Sequence, residues 1–239
     1  MRDLVLLPGW GFDQRIWQPL AAVWPAGWRL RYGLAALADC PAGAVVCGWS
    51  LGAMQAIELA ANSTSPVSSQ HGSGTTGLNN LNIDKLILIG ATPRFLHDSD
   101  WPVAQAPSLL ASFAADLTAN PIAALRRFAA LLNQGDGRAR ELTRFMQSLL
   151  GQSEPDVDSL LDGLNQLRDR DLRNQLARIQ IPTWVVHGSN DVLMPLAAGE
   201  WLAEQLPQAR LTAFAQAGHA PFLSQPERFS AMLAEFLHD

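Results

Sequence analysis

Ser50 stands at the centre of Gly48-Trp49-Ser50-Leu51-Gly52, between a short apolar run at 44–47 and a helical pattern at 51–61. That setting suits a nucleophile. A serine on a sharp strand-to-helix turn needs neighbours without Cβ atoms, because the flanking backbones pack closely and the turn is strained. Such a turn lifts the hydroxyl clear of the strands, while the bland alternative is a glycine turn with an incidental serine. Because a serine hydroxyl is a weak nucleophile at neutral pH, the chemistry also needs a base within hydrogen-bond reach.

The chain has five histidines. His71 lies in a polar stretch, His97 follows Pro93, His187 closes an apolar run and His238 is penultimate. His219 differs, since Gln216-Ala217-Gly218-His219-Ala220-Pro221-Phe222 is a turn between a strand pattern and the last helix pattern. An acid to orient it is Asp191, at the end of Trp184-Val185-Val186-His187-Gly188-Ser189-Asn190-Asp191, a buried-strand pattern running into a turn. Asp191 would accept a hydrogen bond from one imidazole nitrogen, fixing the tautomer and stabilising the cation formed when Ser50 loses its proton. A turn-forming Asp is its alternative role; Asp84 and Asp100 are worse placed relative to a strand end. Acyl transfer further needs donors for the oxyanion, and the backbone N–H groups of Leu51 and of Trp10, in the early loop Pro8-Gly9-Trp10-Gly11, are the candidates.

Three loops must present these groups. Apolar runs at 4–7, 44–47, 85–89 and 183–186 read as buried strands, 28–32 as an outer strand that alternates with Arg, and 210–214 as a further strand. Helix patterns fall at 14–23, 51–61, 197–205 and 226–237. Residues 101–178 read as helical throughout, with Pro107, Pro121 and Pro155 as breaks, and residues 62–82 read as a solvated, mobile loop. Alternating strands and helices imply an α/β class, a mostly parallel sheet with helices on both faces and active groups beyond the carboxyl ends of the strands. The expected organisation is a core of 1–97 and 179–239 with a helical cap of 98–178 inserted.

Composition narrows the function classes. With 239 residues, 48% of them hydrophobic, the chain can bury a large core without staples. A net charge of −5 argues against nucleic acid as a partner. Cys40 and Cys47 lack metal-ligand spacing, so neither a metal nor another cofactor is expected. No apolar run reaches membrane-spanning length, and the opening residues leave no room for a secretory segment; the expected compartment is the cytoplasm.

Together these residues resemble the α/β-hydrolase superfamily over essentially the whole chain, with Ser, Asp and His in the order that superfamily uses. Within it, Leu-Leu-Pro-Gly-Trp-Gly, Gly-Trp-Ser-Leu-Gly, Gly-His-Ala-Pro-Phe and the helical insert look like the pimeloyl-acyl carrier protein methyl ester esterases. That resemblance implies a cofactor-free esterase with Ser50, Asp191 and His219 as triad and Trp10 and Leu51 holding the substrate carbonyl. It also implies that Phe128, Ala129, Ala130, Leu131 and Leu132 line the acyl channel. Cap arginines of that family meet the acidic carrier, and Arg126, Arg127, Arg138, Arg140 and Arg144 fit the arrangement. Arg140 and Arg144, four apart, share a helix face, though a solvated basic face is equally compatible with the spacing. The sequence departs from the superfamily at Pro8, where a His is common, in lacking the usual N-terminal strand hairpin, and in the length of 62–82.

The expected substrate is thus a methyl ester carried on acyl carrier protein, and the expected state a monomer. Two readings stay open at this point. The same triad serves free small esters, lactones or carbon-carbon bonds, and a non-catalytic module could keep the pocket for ligand binding.

Overall fold

The computed structural model describes residues 2–40, 43–63, 82–152 and 154–238. Its six strands are β1 (Arg2–Leu7), β2 (Trp28–Tyr32), β3 (Ala44–Trp49), β4 (Ile83–Ile89), β5 (Thr183–Gly188) and β6 (Ala209–Phe214). They lie in the order β2-β1-β3-β4-β5-β6, and every neighbouring pair is parallel. The helices are α1 (Leu51–Ser63), α2 (Pro107–Ala119), α3 (Pro121–Leu132), α4 (Ala139–Leu150), α5 (Val157–Asp169), α6 (Leu196–Gln205), α7 (Pro221–Ser224) and α8 (Pro226–His238).

Continuous apolar sequence explains the central strands. β3 and β5 are buried along their whole lengths, so both faces of the sheet are covered, as parallel sheets require. α1 packs on β1, β3 and β4, and α6 on β5 and β6. From α8, Phe229 stacks on Trp184 of β5. β2 is the edge its alternating pattern predicts: Arg29 and Arg31 share one face and reach the buried carboxylate of Asp3 at 2.6 and 3.0 Å. The Arg29 hydrogen bond, joined by that of Arg31, outweighs burial and holds Asp3 below the usual carboxylate range.

Strand order positions the site. From β1 the chain passes to β2 on one side, whereas β3 lies on the other, so the loops after β1 and β3 diverge at a topological switch point. A crevice opens there. The first loop carries Trp10, the second Ser50.

Between β4 and β5 the chain forms α2 to α5, with α3 packed on both α2 and α4, and α2 on α5. Their entry and exit are clasped together. Arg94 reaches Asp171 at 2.7 Å, and Arg173 reaches Asp100 at 3.0 Å and Asp171 at 2.6 Å.

Two element expectations change. Of residues 14–23, Gln14–Leu20 form a 3-10 helix with Pro19 inside it, whose ring would clash with the Arg15 carbonyl in an α-helix. Pro107 and Pro121 mark breaks as expected, each standing in the first turn of the helix that follows, where a missing N–H has no partner to lose. The stretch before α2 is not helical: Leu96 bridges Gln105 and Asp98 bridges Trp101. Of the expected polar loop, 62 and 63 complete α1, whereas 64–81, with His71, lie outside the described residues.

Candidate active site

Ser50 has φ 58°, one of two non-glycine residues in the left-handed region among those described. Such a conformation costs an L-residue about 1–2 kcal/mol, and the surroundings enforce it. The Ser50 N–H donates to the Ile89 carbonyl at 2.9 Å, while the Ser50 carbonyl accepts from Ala53 and Met54 at the start of α1. The motif glycines are sterically required. A Cβ on Gly48 would stand 2.3 Å from the Gly52 carbonyl oxygen, and one on Gly52 would stand 2.3 Å from the Leu7 carbonyl oxygen. Both obstacles are backbone and cannot yield.

His219 and Asp191 form a closed pair. Nδ1 of His219 lies 2.7 Å from Oδ2 of Asp191, and both side chains are fully buried. The other carboxylate oxygen accepts the N–H groups of Leu193 and Met194, each at 2.9 Å. Burial opposes ionisation of Asp191, but the facing His219 and these donors prevail and hold its pKa below the ordinary value. With Nδ1–H pointing at the carboxylate, Nε2 presents its lone pair.

Ser50 and His219 each adjoin the end of β4. The serine N–H bonds to Ile89, and the imidazole packs on Gly90, where an added Cβ would stand 3.0 Å from Cε1. Trp49 joins them from below, its indole N–H donating to the His219 carbonyl at 2.9 Å. Nε2 of His219 is buried and makes no hydrogen bond, whereas Nδ1 is bonded to the carboxylate; a serine-to-imidazole bond is therefore not made. In unliganded sites such bonds are commonly long and tighten when substrate arrives.

A second imidazole backs the acid. His187 of β5 is fully buried, its Nε2–H donating to the Met194 carbonyl at 2.7 Å and lying 3.5 Å from Oδ2 of Asp191. Burial lowers its pKa, outweighing the nearby carboxylate. The sign of the pH effect follows: below its ordinary value of 6.5 the unfolded chain binds a proton that the folded chain resists, so stability rises with pH through that window and falls on acidification. The expected outcome is an unfolding free energy that drops from pH 7 to pH 5, with a slope from this group of at most about 1.4 kcal/mol per pH unit. In His187→Gln, urea unfolding across that range should show a flatter slope; an unchanged slope would contradict the assignment.

Two cavities flank Trp10. One, of about 10 Å³, is apolar apart from Ser50 and is walled by Phe95, Leu110, Phe113, Phe128 and Leu193. The other is an open cleft of about 570 Å³ that runs past Gly9, Leu51, Leu125 and Leu160 to Arg15 and Asp156. Trp10 lines both. Its indole N–H donates to the Leu160 carbonyl at 2.8 Å, and its ring meets Phe128 edge-on at 4.6 Å. Gly163 of α5 makes room for it, since a Cβ there would stand 2.4 Å from the indole Cδ1. At the same place, the Leu51 N–H is the first of α1 and has no acceptor within that helix.

Of the expected channel residues, Phe128 faces Ser50's cavity and Ala129 and Leu132 are buried. Leu131 is half-buried. Ala130 is exposed, because the helical period that turns 128, 129 and 132 inward turns 130 outward.

The arginines also divide. Arg127 pairs with Asp116 and covers Phe113, while Arg138 holds Glu141 and the carbonyls of Leu223 and Ser224. Arg126, Arg140 and Arg144 are exposed and join no ion pair among the described residues. Sequence reasoning passed over Phe113, Gly163, His187 and Asp136, which is buried in the turn after α3. Of these only Gly163 carried a signal, as a glycine inside an apolar helix pattern.

No group of three or more His, Cys, Asp or Glu among the described residues could hold a metal ion. None of the described helices is long and apolar enough to cross a membrane.

Known proteins agree with this architecture. The profile of the alpha/beta hydrolase family matches residues 4–232. Pimeloyl-[acyl-carrier protein] methyl ester esterase of Aromatoleum aromaticum is 36% identical, the alignment covering 98% of this chain and 97% of that one. The protein of the same name from Nitrosomonas europaea is 33% identical over 95% of this chain and 92% of its own. Among solved structures, an esterase from Exiguobacterium antarcticum superposes with a TM-score of 0.82 at 21% identity, covering 100% of this chain and 92% of that chain. An enol-lactonase from Burkholderia xenovorans gives 0.78 at 19%, with the same coverage. With the parallel sheet, the strained serine turn and the buried imidazole–carboxylate pair, these matches establish that the chain belongs to the alpha/beta hydrolase family.

Proposed function

We propose that this chain is a serine carboxylesterase that hydrolyses the methyl ester of pimeloyl-acyl carrier protein, releasing methanol and needing no cofactor. The observation that carries the chemistry is the buried His219–Asp191 pair with a partnerless Nε2, placed at the same strand end as the Ser50 turn. The substrate is supported by the names of relatives that match over nearly their full lengths.

In this reading Ser50 Oγ attacks the ester carbonyl as Nε2 of His219 takes its proton. The backbone N–H groups of Trp10 and Leu51 hold the oxyanion, a donor pair whose members are each worth about 3–4 kcal/mol of barrier. Collapse breaks the bond to the methoxy oxygen, and His219 returns the proton so that methanol leaves. Water, deprotonated by the same imidazole, then attacks the acyl-serine and regenerates Ser50. Residues 98–178 serve as a cap over a core of 1–97 and 179–239, and Phe128 and Trp10 wall the acyl chain.

Arg140 and Arg144, on the exposed face of α4, with Arg126 on α3, are the docking charges for the acidic carrier. The test compares methyl pimeloyl-carrier with a short soluble ester as ratios of kcat/KM. Reversing both charges, Arg140→Glu with Arg144→Glu, should lower kcat/KM for the carrier substrate about 10-fold or more, since surface charges at a docking rim act on encounter. The soluble ester should be unaffected. Equal losses on both substrates contradict docking there, and a preference of the unaltered enzyme for the soluble ester contradicts the substrate assignment.

A further inference from the structure

The turn at 133–138, between α3 and α4, is bonded to both loops that carry the imidazole–carboxylate pair. Asp136, only 7% exposed, accepts the Gly218 N–H through Oδ2 at 2.7 Å. Its other oxygen accepts the Arg138 N–H at 2.7 Å and the Ser224 hydroxyl at 3.0 Å. Four residues back, the Leu132 carbonyl accepts the His219 N–H at 3.0 Å, and one residue on, the Gly137 N–H donates to the Gln216 carbonyl at 2.9 Å. The Asn190 side chain, beside Asp191, donates to the Gly135 carbonyl at 2.8 Å.

These bonds restrain a segment that would not hold its shape alone. Gln216 has φ 59°, a left-handed conformation that a side chain resists, so the turn into His219 is under strain. Gly218 is wedged against α3: a Cβ there would stand 3.0 Å from the Leu132 carbonyl oxygen and 3.3 Å from Asp136 Cβ. A buried carboxylate holding three donors is an expensive way to close a surface turn, yet it fixes the peptide immediately before the imidazole.

We propose that Asp136 is a positioning residue that sets the direction of the His219 ring through the Gly218 N–H. Phe128 on α3 and the imidazole are thereby parts of one rigid frame. The proposal rests on the reading of His219 as general base.

The test uses the full-length enzyme and a short soluble ester. Asp136→Ala should lower kcat about 10- to 100-fold with KM within about twofold, because sub-ångström misplacement of a base costs rate and not affinity. Asp136→Asn has a single oxygen, which the Arg138 N–H and the Ser224 hydroxyl hold, so its NH₂ faces the Gly218 N–H and it should lose kcat as Asp136→Ala does. Ser224→Ala removes one donor to Asp136 but leaves Gly218 bonded; it should lower thermal stability while leaving kcat near wild type. In proton NMR, the downfield resonance of the His219 Nδ1–H should be present in wild type and Ser224→Ala and be shifted or lost in Asp136→Ala. The proposal is overturned if folded Asp136→Ala keeps wild-type kcat, or if kcat and melting temperature fall together in all three variants. Should Asp136→Ala not fold, Asp136→Asn decides: an unmoved resonance alongside a 10-fold loss of kcat also overturns it. His219→Ala is the separate control, for undiminished hydrolysis there removes the base assignment itself.

Discussion

Replacing Ser50 by alanine should lower kcat for any ester at least about 10⁴-fold, leaving only what oxyanion donors and binding supply without a nucleophile. The more discriminating variant is Ser50→Gly. It is equally devoid of a hydroxyl, yet it relieves the strain of φ 58°, and among the described residues Ser50 Oγ has no hydrogen bond to give up. Left-handed strain of about 1–2 kcal/mol exceeds the 0.5–1 kcal/mol that glycine costs in chain entropy. The glycine variant should therefore be dead and slightly more stable, with a melting temperature up by about 2 °C. Calorimetry beside an ester assay reads both. A glycine variant that melts earlier than wild type would show that the turn stores no strain.

The second large effect is expected from Asp191→Asn, where kcat should fall on the order of 10⁴-fold with little change in KM. The argument is one of donors. Leu193 and Met194 already direct two N–H groups at one oxygen of the side chain. An asparagine must keep its single oxygen there, which turns its NH₂ group toward Nδ1 of His219. Facing a donor, Nδ1 becomes the acceptor, and the ring proton moves to Nε2, the atom that has to accept the proton of Ser50. His187 holds Met194 from behind, so rotating the amide would cost the same two bonds. The variant should fold normally and fail catalytically; activity within about 10-fold of wild type would mean that the carboxylate does not set the tautomer.

How much of this was legible in the sequence depends on the range of the interaction. The serine turn was readable because its demands are local: an apolar run, two glycines and a helix pattern lie within a few residues. Asp191 and His219 were readable as acids and bases at strand ends, and the bond between them followed from chain order. The Arg29 and Arg31 alternation marked β2 as an edge, although only folding revealed the buried Asp3 that both arginines serve. Asp136 was not legible, since Asn-Gln-Gly-Asp-Gly between two helices has the composition of any exposed turn, and its buried partners come from residues about eighty positions away. His187 likewise closes an apolar run without sign that it backs Asp191. The failed helix at 14–23 has a local cause in Pro19, which the apolar periodicity outvoted. Ala130 was carried along with a helix whose period, applied strictly, already pointed it outward.

The central claim is that Ser50 is a nucleophile activated by His219, and covalent labelling tests it most directly. Wild-type enzyme treated with a fluorophosphonate, digested and weighed by mass spectrometry should carry a single adduct on the peptide containing Ser50, and His219→Ala should label far more slowly under the same conditions. An unmodified Ser50 peptide, or labelling as fast without the imidazole as with it, would contradict the account.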